Sequence, residues 1–300
     1  MAQKIRALCV VRDEADIIRQ TLTAASAWCE AVYVLDNGSD DGTWELVQAL
    51  AKERPVVVPH ARDLRPFSQD LRGDLFRAHR HAAAGGDWWC ILDADEQYID
   101  DPRAFLAAVP RRYDQVWSAS FEYYFTDLDV VRYREDPARY GDEVPVEEKC
   151  RYYLNNWSEH RFFRHTRRLV WETGDWPEAL GPVFPERIRL KHFQYRSPQQ
   201  IQRRIDTRRA ALRERRFLHE GLPNWAEAMI DPARADFARS DAEFAPHTWT
   251  ERVLDHTLLL EDTGDGRYEI DEPKLPPIPR AWPRWTLRLR RLARQLRRRA

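Results

Sequence analysis

Two acidic residues follow the most apolar stretch of the chain. Asp93 and Asp95 come directly after the run WWCIL at 88–92, and Glu96 is next. Residues two apart in an extended segment point to the same side, so the first two carboxylates should converge. Carboxylate oxygens suit Mg²⁺ or Mn²⁺ shared with substrate phosphates, and burying three acids together is costly without a cation. The pattern predicts a metal site, the alternative being a helix cap or a solvated turn.

A further acid, Asp36, ends another strand-like run at 31–35 and opens the turn-rich segment 36–42. In nucleotide-binding α/β folds, an acid in this place hydrogen-bonds a base or a ribose. Ser39 and Asp40, which come next, are expected to cap the following helix.

The elements around these acids predict βαβ units on a mostly parallel sheet. A helix is expected to begin at Asp13 as N-cap, and another at Ser197. The charged, apolar-poor segment 132–149 is predicted to be a mobile loop. The strands are predicted at 5–11, 31–35, 55–58, 88–92 and 113–125 and within 160–173 and 186–193, and the later helices around 44–50, at 69–84 and at 197–219.

Composition limits the class of protein. The chain has 300 residues, 43% of them hydrophobic, which is enough for a large α/β domain. It has no apolar run near the roughly 20 residues that span a bilayer and no signal-peptide layout, so a cytoplasmic location is expected. The four cysteines form no CxxC pair, and we interpret Cys9 and Cys90 as reduced core residues.

Three segments together resemble the family 2 glycosyltransferases of GT-A fold. They are VVRDEAD at 10–16, VLDNGSDDGT at 34–43 and the region 86–96. Within that family, the chain is similar to the bacterial subgroup of lipopolysaccharide-core and cell-surface glucosyltransferases. The resemblance implies transfer of a sugar from a nucleotide-diphosphate sugar, with a UDP-sugar favoured, to a hydroxyl of a cell-surface or lipid-linked glycan. It also implies inversion at the anomeric carbon.

The resemblance also assigns roles to individual residues. Asp93 and Asp95 would hold Mn²⁺ or Mg²⁺, and His192, in LKHFQYRS at 190–197, would complete that site unless it is an ordinary strand-end histidine. Glu178 is the leading general base, with Asp175 and Glu159 as reserves. The chain departs from the subgroup where Pro177 replaces a histidine and Ala78 an asparagine. The nucleotide-sugar contacts would be made by Val11, Arg12, Glu14, Asp36, Asn37, Arg77, Asp93 and Ala94.

The predicted organisation has three parts. Residues 1–220 would form the GT-A domain, with a nucleotide-sugar half at 1–100 and an irregular acceptor half at 101–220. A helical or irregular extension at 221–272 and a basic amphipathic tail at 273–300 would follow.

The tail has a distinct charge and pattern. From residue 273 onward there is no acid, and one lysine and nine arginines give a charge of +10. Because the net charge of the whole chain is -1, residues 1–272 carry -11. Tryptophan and leucine recur at helical spacing within 280–300, which predicts contact with an anionic membrane at the inner face of the plasma membrane. A self-packed helix is the alternative. A nucleic-acid partner is not expected, because phosphate binding has no use for an apolar stripe.

Two other functions are compatible with the pattern. A nucleotidyltransferase can share the sheet and the acids, but it would carry a glycine-rich basic loop where this chain has VRDE at 11–14. A non-catalytic, membrane-associated protein of the same fold is the other alternative.

Overall fold

The computed structural model describes residues 3–178, 180–213 and 246–278, apart from the side chains of 210–213. The chain divides into two compact units. Within the described residues, unit 1 comprises 3–119, 158–190 and 276–278, and unit 2 comprises 120–157 and 191–275. The predicted boundaries at 220 and 272 stay predictions, and residues 214–245 and the tail segment 280–300 lie outside the described part.

The fold is mixed α/β, as predicted. The strands are β1 (Ile5–Val11), β2 (Ala31–Asp36), β3 (Val57–Arg62), β4 (Trp88–Ile91), β5 (Glu96–Tyr98), β6 (Gln115–Tyr124), β7 (Tyr152–Trp157), β8 (His160–Arg164), β9 (Ile188–His192) and β10 (Leu260–Glu261). The helices are α1 (Ile18–Ser26), α2 (Thr43–Glu53), α3 (Asp70–His79), α4 (Pro102–Ala108), α5 (Asp127–Glu135), α6 (Val146–Lys149) and α7 (Pro198–Arg213). Short 3₁₀ segments lie at Arg80–Ala82, Pro137–Tyr140, Trp249–Arg252, His256–Leu258 and Glu272–Lys274.

The sheet of unit 1 is parallel in one half and antiparallel in the other. Strands β3, β2, β1 and β4 lie side by side in that order and run parallel. Strand β8 pairs antiparallel with β4, and the first residues of β6 pair antiparallel with β8. The predicted parallel sheet is therefore confirmed for the N-terminal strands, and their carboxyl ends share one edge where ligands bind in such sheets.

Both faces of the parallel half are covered by helices, which explains the nearly continuous apolar sequence of β1 and β4. On one face, alternate residues of β1 such as Ala7 and Cys9 pack with α1 and α2. On the other face, Leu8 and Trp89 pack with Leu75 of α3. All four cysteines are buried and none forms a disulfide, as expected for Cys9 and Cys90.

Unit 2 is built on the last residues of β6, with β7 and β10 paired antiparallel beside them. Its apolar core gathers side chains of β6, α7 and the segment after β9, including Tyr124, Tyr195 and Ile201. Helix α7 begins as predicted, because the Ser197 hydroxyl accepts the Gln200 N–H at 3.2 Å. No helix within the described residues is both long and apolar enough to cross a bilayer.

Three local predictions are wrong. Asp13 is not the N-cap of α1: it adopts a left-handed φ of 55°, and the cap position is Ile17. Ser39 and Asp40 do not cap α2, whose N-cap is Gly42 at a φ of 95°, where a glycine is favoured. The segment 132–149 is not an irregular loop. It contains the end of α5, a 3₁₀ turn and α6, held by burial of Tyr140 and Val146.

Candidate active site

The acids after β4 lie in a turn rather than in an extended segment. Strand β4 ends at Ile91, and the Glu96 N–H donates to the Asp93 carbonyl oxygen at 3.3 Å. The Glu96 carboxylate in turn accepts the Asp93 N–H at 3.4 Å. The extended geometry predicted for Asp93 and Asp95 is therefore wrong, because the chain reverses at this point. The turn brings Asp93 together with Glu96.

Arg161, from β8, places a positive charge inside this acid group. Its Nη2 lies 3.1 Å from Asp93 Oδ2 and also contacts the carboxylates of Glu96 and Glu159. The Arg161 side chain is completely buried. Burial alone would lower the pKa of Arg161, but the carboxylates of Glu159, Glu96 and Asp93 raise it well above its ordinary value. The guanidinium therefore stays charged.

Arg72, from α3, contacts the other oxygen of Asp93. The Arg72 side chain is largely buried, with a tenth of its surface exposed. Asp93 thus lies between two guanidinium groups. The sequence suggested that the buried acids need a cation to offset their charge. These two arginines supply part of that positive charge.

The same group offers ligand atoms for a divalent cation. One carboxylate oxygen from each of Asp93, Glu96 and Glu159 lies within 4.8 Å of the others. Asp95 is buried, and among the described residues it belongs to no such group of three. Three carboxylates are hard oxygen donors, so the residues present fit Mg²⁺ or Mn²⁺. A bound cation would share these carboxylates with Arg161 and Arg72.

His192, the third predicted ligand, ends β9 and belongs to unit 2. Its Nδ1 lies 2.8 Å from Glu122 Oε2. The same carboxylate accepts a hydrogen bond from Gln194 Nε2 at 2.9 Å. The roles of Asp95 and His192 as metal ligands stay predictions.

A second group of two acids and a histidine, in unit 2, has a local explanation. Asp255 caps a 3₁₀ turn by accepting the Thr257 N–H at 2.9 Å. Asp127 accepts the His256 N–H at 2.9 Å and lies 3.0 Å from its Nδ1. Helix capping and a surface ion pair account for these contacts without an ion.

The loops after β1 and β2 are tied together by hydrogen bonds between backbone N–H groups and side chains. The backbone N–H groups of residues 13, 14 and 15 donate to Ser39 Oγ at 2.9 Å, Thr43 Oγ1 at 2.9 Å and Asp41 Oδ2 at 3.1 Å. The Asp13 carboxylate accepts the Asp40 N–H at 3.0 Å in return. The serine, aspartate and threonine of the second motif therefore position the first motif.

Asp36 is completely buried at the end of β2. Its Oδ1 accepts the N–H groups of Gly38 and Ser39, both at 3.0 Å, and Arg62 Nε lies 3.3 Å away. Its Oδ2 is buried and has no hydrogen-bond partner among the described residues. A buried acceptor without a donor is unusual and needs an explanation, such as a ligand or a water molecule.

Asn37 continues this edge. Its Nδ2 donates to the carbonyl oxygens of Asp63 at 2.9 Å and Arg65 at 2.6 Å. These bonds hold the segment after β3 against the end of β2. The buried Oδ1 of Asn37 likewise lacks a partner within the described part of the chain.

The other predicted donor residues differ in exposure. Val11 and Ala94 are buried, whereas Arg12 is exposed and its Nε lies 3.5 Å from Asp13 Oδ2. Glu14 is partly buried, and its carbonyl oxygen accepts the N–H groups that begin α1.

Arg77 contacts protein groups rather than the acid turn. Its guanidinium donates to the carbonyl oxygens of Trp171 and Glu172 and to the Asp74 carboxylate. The residue of α3 that reaches Asp93 is Arg72, five positions earlier. Arg77 therefore fixes the segment after β8 to α3.

The predicted bases lie elsewhere in unit 1. Glu178 and Asp175 are both exposed, and the Glu178 N–H donates to the Val170 carbonyl oxygen at 2.6 Å. Glu159, the reserve, is the one whose carboxylate joins the acid group through Arg161. The catalytic roles of all three stay predictions.

Residues 8–174 match the family model described as glycosyl transferase family 2, which is more than half of the chain. The chain belongs to this family. A curated relative, a TPR repeat-containing protein of Synechococcus elongatus, is 36% identical to this glycosyltransferase over 90 residues. That stretch is 30% of this chain, and it spans only 20% of the relative.

Three solved structures resemble this chain at low similarity. The mannosyltransferase PcManGT of Pyrobaculum calidifontis, in complex with GDP-Man and Mn²⁺, has a TM-score of 0.33 and 19% identity, over 40% of this chain and 36% of that one. Glucosyl-3-phosphoglycerate synthase of Mycobacterium tuberculosis, in complex with phosphoglyceric acid, has a TM-score of 0.29 and 15% identity. The match covers 54% of this chain and 57% of that one. TarS 1–349 of S. aureus has a TM-score of 0.31 and 12% identity, over 79% of this chain and 73% of that one. The family assignment rests on the match over residues 8–174.

Sequence reasoning missed Arg72 and Arg161. Arg161 lies 65 residues from Glu96, and no local motif marks that distance. The strand His160–Arg164 that contains Arg161 is buried throughout, but its sequence HRFFR is not an apolar run and did not indicate this burial. An arginine in a fully buried strand requires an acid partner.

Proposed function

We propose that this glycosyltransferase transfers a sugar from a nucleotide-diphosphate sugar to a hydroxyl of a cell-surface or lipid-linked glycan, with the help of a divalent cation and with inversion. Membership of the family supports sugar transfer in general. It also favours sugar transfer over the nucleotidyltransferase alternative. The finer parts of the proposal rest on the residues at the carboxyl ends of β2 and β4.

The observation that carries the donor site is the unsatisfied Oδ2 of Asp36. A buried carboxylate oxygen gains most from a donor N–H, and the base of a nucleotide supplies one. The position at the end of a parallel strand is where nucleotides bind in such sheets. We therefore assign the base to Asp36 and favour a uridine nucleotide, with Val11, Arg12, Glu14 and Asn37 around it.

The diphosphate is assigned to the acid turn. Asp93 and Asp95, together with Glu96 and Glu159, would hold Mg²⁺ or Mn²⁺, with His192 as a further proposed ligand. The bound cation would neutralise charge on the departing diphosphate. Arg161 and Arg72 hold Asp93 in place, and Arg77 and Ala94 are proposed to line the donor.

A carboxylate within hydrogen-bond reach of the acceptor hydroxyl would take its proton as the new bond forms. Glu178 is the proposed base, with Asp175 and Glu159 next. A single displacement of this kind inverts the anomeric centre. The NMR coupling of the product's anomeric proton tests this, and a retained configuration would refute the single displacement.

The sequence also supports peripheral membrane attachment through residues 280–300. Nine arginines with interspersed tryptophan and leucine suit the surface of an anionic bilayer. Such a location on the cytoplasmic side would bring the enzyme to a lipid-linked acceptor.

A thermal-shift panel tests the donor site. UDP-, GDP-, dTDP- and CMP-sugars are added with and without Mn²⁺ to the wild type, to Asp95→Ala and to Asp36→Asn. We expect one nucleotide class to stabilise the wild type, and this stabilisation should depend on Mn²⁺. Asp95→Ala should lose the stabilisation. Asp36→Asn should weaken it to the same extent with and without Mn²⁺. The exposed Asp142→Ala serves as the matched control and should respond as the wild type does. The absence of a shift with every donor would favour a non-catalytic protein of this fold.

A further inference from the structure

Unit 2 contains three polar side chains that are buried next to one another. Glu122 and Tyr124 are two apart in β6, so both point to the same face of the sheet. Asn156 lies in the neighbouring strand β7. Ser120 pairs with Trp157 and Phe121 with Asn155, so Asn156 between them has no partner in β6 and forms a β-bulge. Bulges often redirect a side chain toward a binding site.

These three side chains have hydrogen-bonding groups that the protein leaves unused. The Glu122 Oε1, the Tyr124 hydroxyl and both the oxygen and nitrogen of the Asn156 amide are buried, and none of them makes a well-formed hydrogen bond to a described residue. The Asn156 amide and the Tyr124 hydroxyl are close enough to interact with each other, so each satisfies part of the other's hydrogen-bonding capacity. The three residues are 2%, 1% and 6% exposed. Each unused group carries a desolvation cost, and native proteins leave few such groups uncompensated.

The three side chains form one group. Burial raises the pKa of the Tyr124 phenol well above its ordinary value, the Glu122 carboxylate adds to the rise, and the Asn156 amide opposes it, so both lie near the phenol. The other oxygen of Glu122 is held by Gln194 at 2.9 Å and lies 2.8 Å from His192. His192 is partly exposed, so Glu122 lies next to a residue at the surface.

The unused groups suit one class of ligand. They comprise two acceptors (the Glu122 and Asn156 oxygens), one donor (the Asn156 nitrogen) and a hydroxyl that can do either. The hydroxyls of a carbohydrate donate and accept, and therefore match this mixture. A phosphate or carboxylate does not, because the Glu122 carboxylate would repel it.

We propose that Glu122, Tyr124 and Asn156 form a subsite for the neutral hydroxyls of a saccharide, reached past His192. The subsite is a binding site in its own right. Only its assignment to the acceptor rests on the proposed glycosyl transfer.

Saturation-transfer NMR on the full chain tests the subsite without any donor or metal. The probes are the methyl glycosides of glucose, galactose and mannose, with glycerol 3-phosphate as the anionic comparison. We expect at least one glycoside to bind to the wild type. Tyr124→Phe and Asn156→Ala should each weaken that binding by about fivefold or more, the effect of one lost hydrogen bond.

Tyr153→Phe is the matched control. It removes a tyrosine hydroxyl from β7 at the position paired with Tyr123, on the opposite face from Tyr124, and should leave glycoside binding unchanged. Tyr124→Phe removes a buried hydroxyl that makes no well-formed hydrogen bond, so its melting temperature should stay close to that of the wild type. Lower affinity without lower stability separates a binding role from a structural one.

The proposal is overturned if no glycoside binds to the folded wild type, if glycerol 3-phosphate binds better than every glycoside, or if Tyr124→Phe binds as the wild type does. The last result would mean that ordered water satisfies these groups. Glycoside binding without any response to nucleotide sugars would keep the subsite and refute the transfer reaction. A response to nucleotide sugars without glycoside binding would refute the subsite and keep the transfer reaction.

Discussion

Arg161 lies fully buried among acids, and the cost of burying each charge is offset by its partners. When one partner of a buried ion pair is removed, the remaining charge is left uncompensated. Arg161→Met keeps the volume but leaves the carboxylates of Asp93, Glu96 and Glu159 with less positive charge. We expect the free energy of unfolding, measured by urea denaturation, to fall by about 3–5 kcal/mol.

Arg189→Met is the control for that substitution. Arg189 also pairs with an acid, Asp100, at 2.6 Å, but both side chains are partly exposed. Exposed ion pairs contribute little, so the loss should stay below about 1 kcal/mol. Equal losses in the two variants would show that the burial of Arg161 has no special importance.

At the scale of single residues, the sequence located acids better than it located their partners. Asp36 and Asp93 were found because each follows an apolar strand, and strand ends are local features. Their surroundings depend on contacts between distant residues. The turn that joins Asp93 to Glu96 and the arginine that neutralises them from β8 could not be inferred from spacing alone.

At the scale of elements, Asp87 joins the start of β1 to the segment before β4. It accepts the Lys4 N–H at 3.1 Å and the Ala84 N–H at 2.9 Å, and Arg6 Nη1 lies 2.8 Å from its Oδ2. Burial alone would raise the pKa of Asp87, but these hydrogen bonds and Arg6 lower it overall. A carboxyl group whose pKa is lowered by folding stabilises the protein above its unfolded pKa of about 3.9 and loses that contribution as the pH falls.

Asp87→Asn tests this linkage. We expect the variant to be less stable than the wild type by about 3 kcal/mol at neutral pH, because Arg6 loses its buried partner. The difference should shrink as the pH falls from the unfolded pKa of about 4 through the lower pKa of the folded protein, because the unfolded chain binds the proton first. Urea denaturation across the pH range measures it. Glu30→Gln, which removes the exposed partner of Lys4, is the control and should leave the stability nearly unchanged at every pH. A stability difference for Asp87→Asn that did not depend on pH would contradict the linkage.

The segment 180–183 packs closely against the start of β6. A β-carbon on Gly181 would lie 2.0 Å from Asp114 Oδ2, whereas one on Gly85 would meet no atom within 4 Å. Asp114 is buried, so it cannot move aside freely. Gly181→Ala should therefore lower the free energy of unfolding by about 1–3 kcal/mol, and Gly85→Ala should be neutral or slightly stabilising. Thermal melts of both compare them, and equal stability would mean that this contact relaxes without cost.

Elements were predictable where the apolar pattern is continuous. Strand β1 has the predicted bounds because its sequence from Ile5 to Val11 is apolar apart from Arg6 and both faces are covered. The pattern failed at polar connections. Asp13 looked like a helix cap, but its carboxylate accepts an N–H from the loop after β2 instead. The pairing of two loops is a tertiary contact, and the sequence around Asp13 contains no sign of it.

For the whole molecule, the uneven charge leads to the last prediction. Residues 1–272 carry -11 and the rest +10, with nine arginines in 280–300. Each basic residue near an anionic bilayer contributes about 1 kcal/mol, and tryptophan adds apolar insertion. We expect the full chain to co-sediment with phosphatidylglycerol vesicles at low salt and a chain ending at Pro279 to stay in solution. Replacing Trp282 and Trp285 by alanine should make the remaining binding more sensitive to salt, because attraction between charges is screened while insertion is not. Equal sedimentation of the full and shortened chains would exclude the tail as the attachment and direct attention to the rest of the surface, whose net negative charge opposes an anionic membrane.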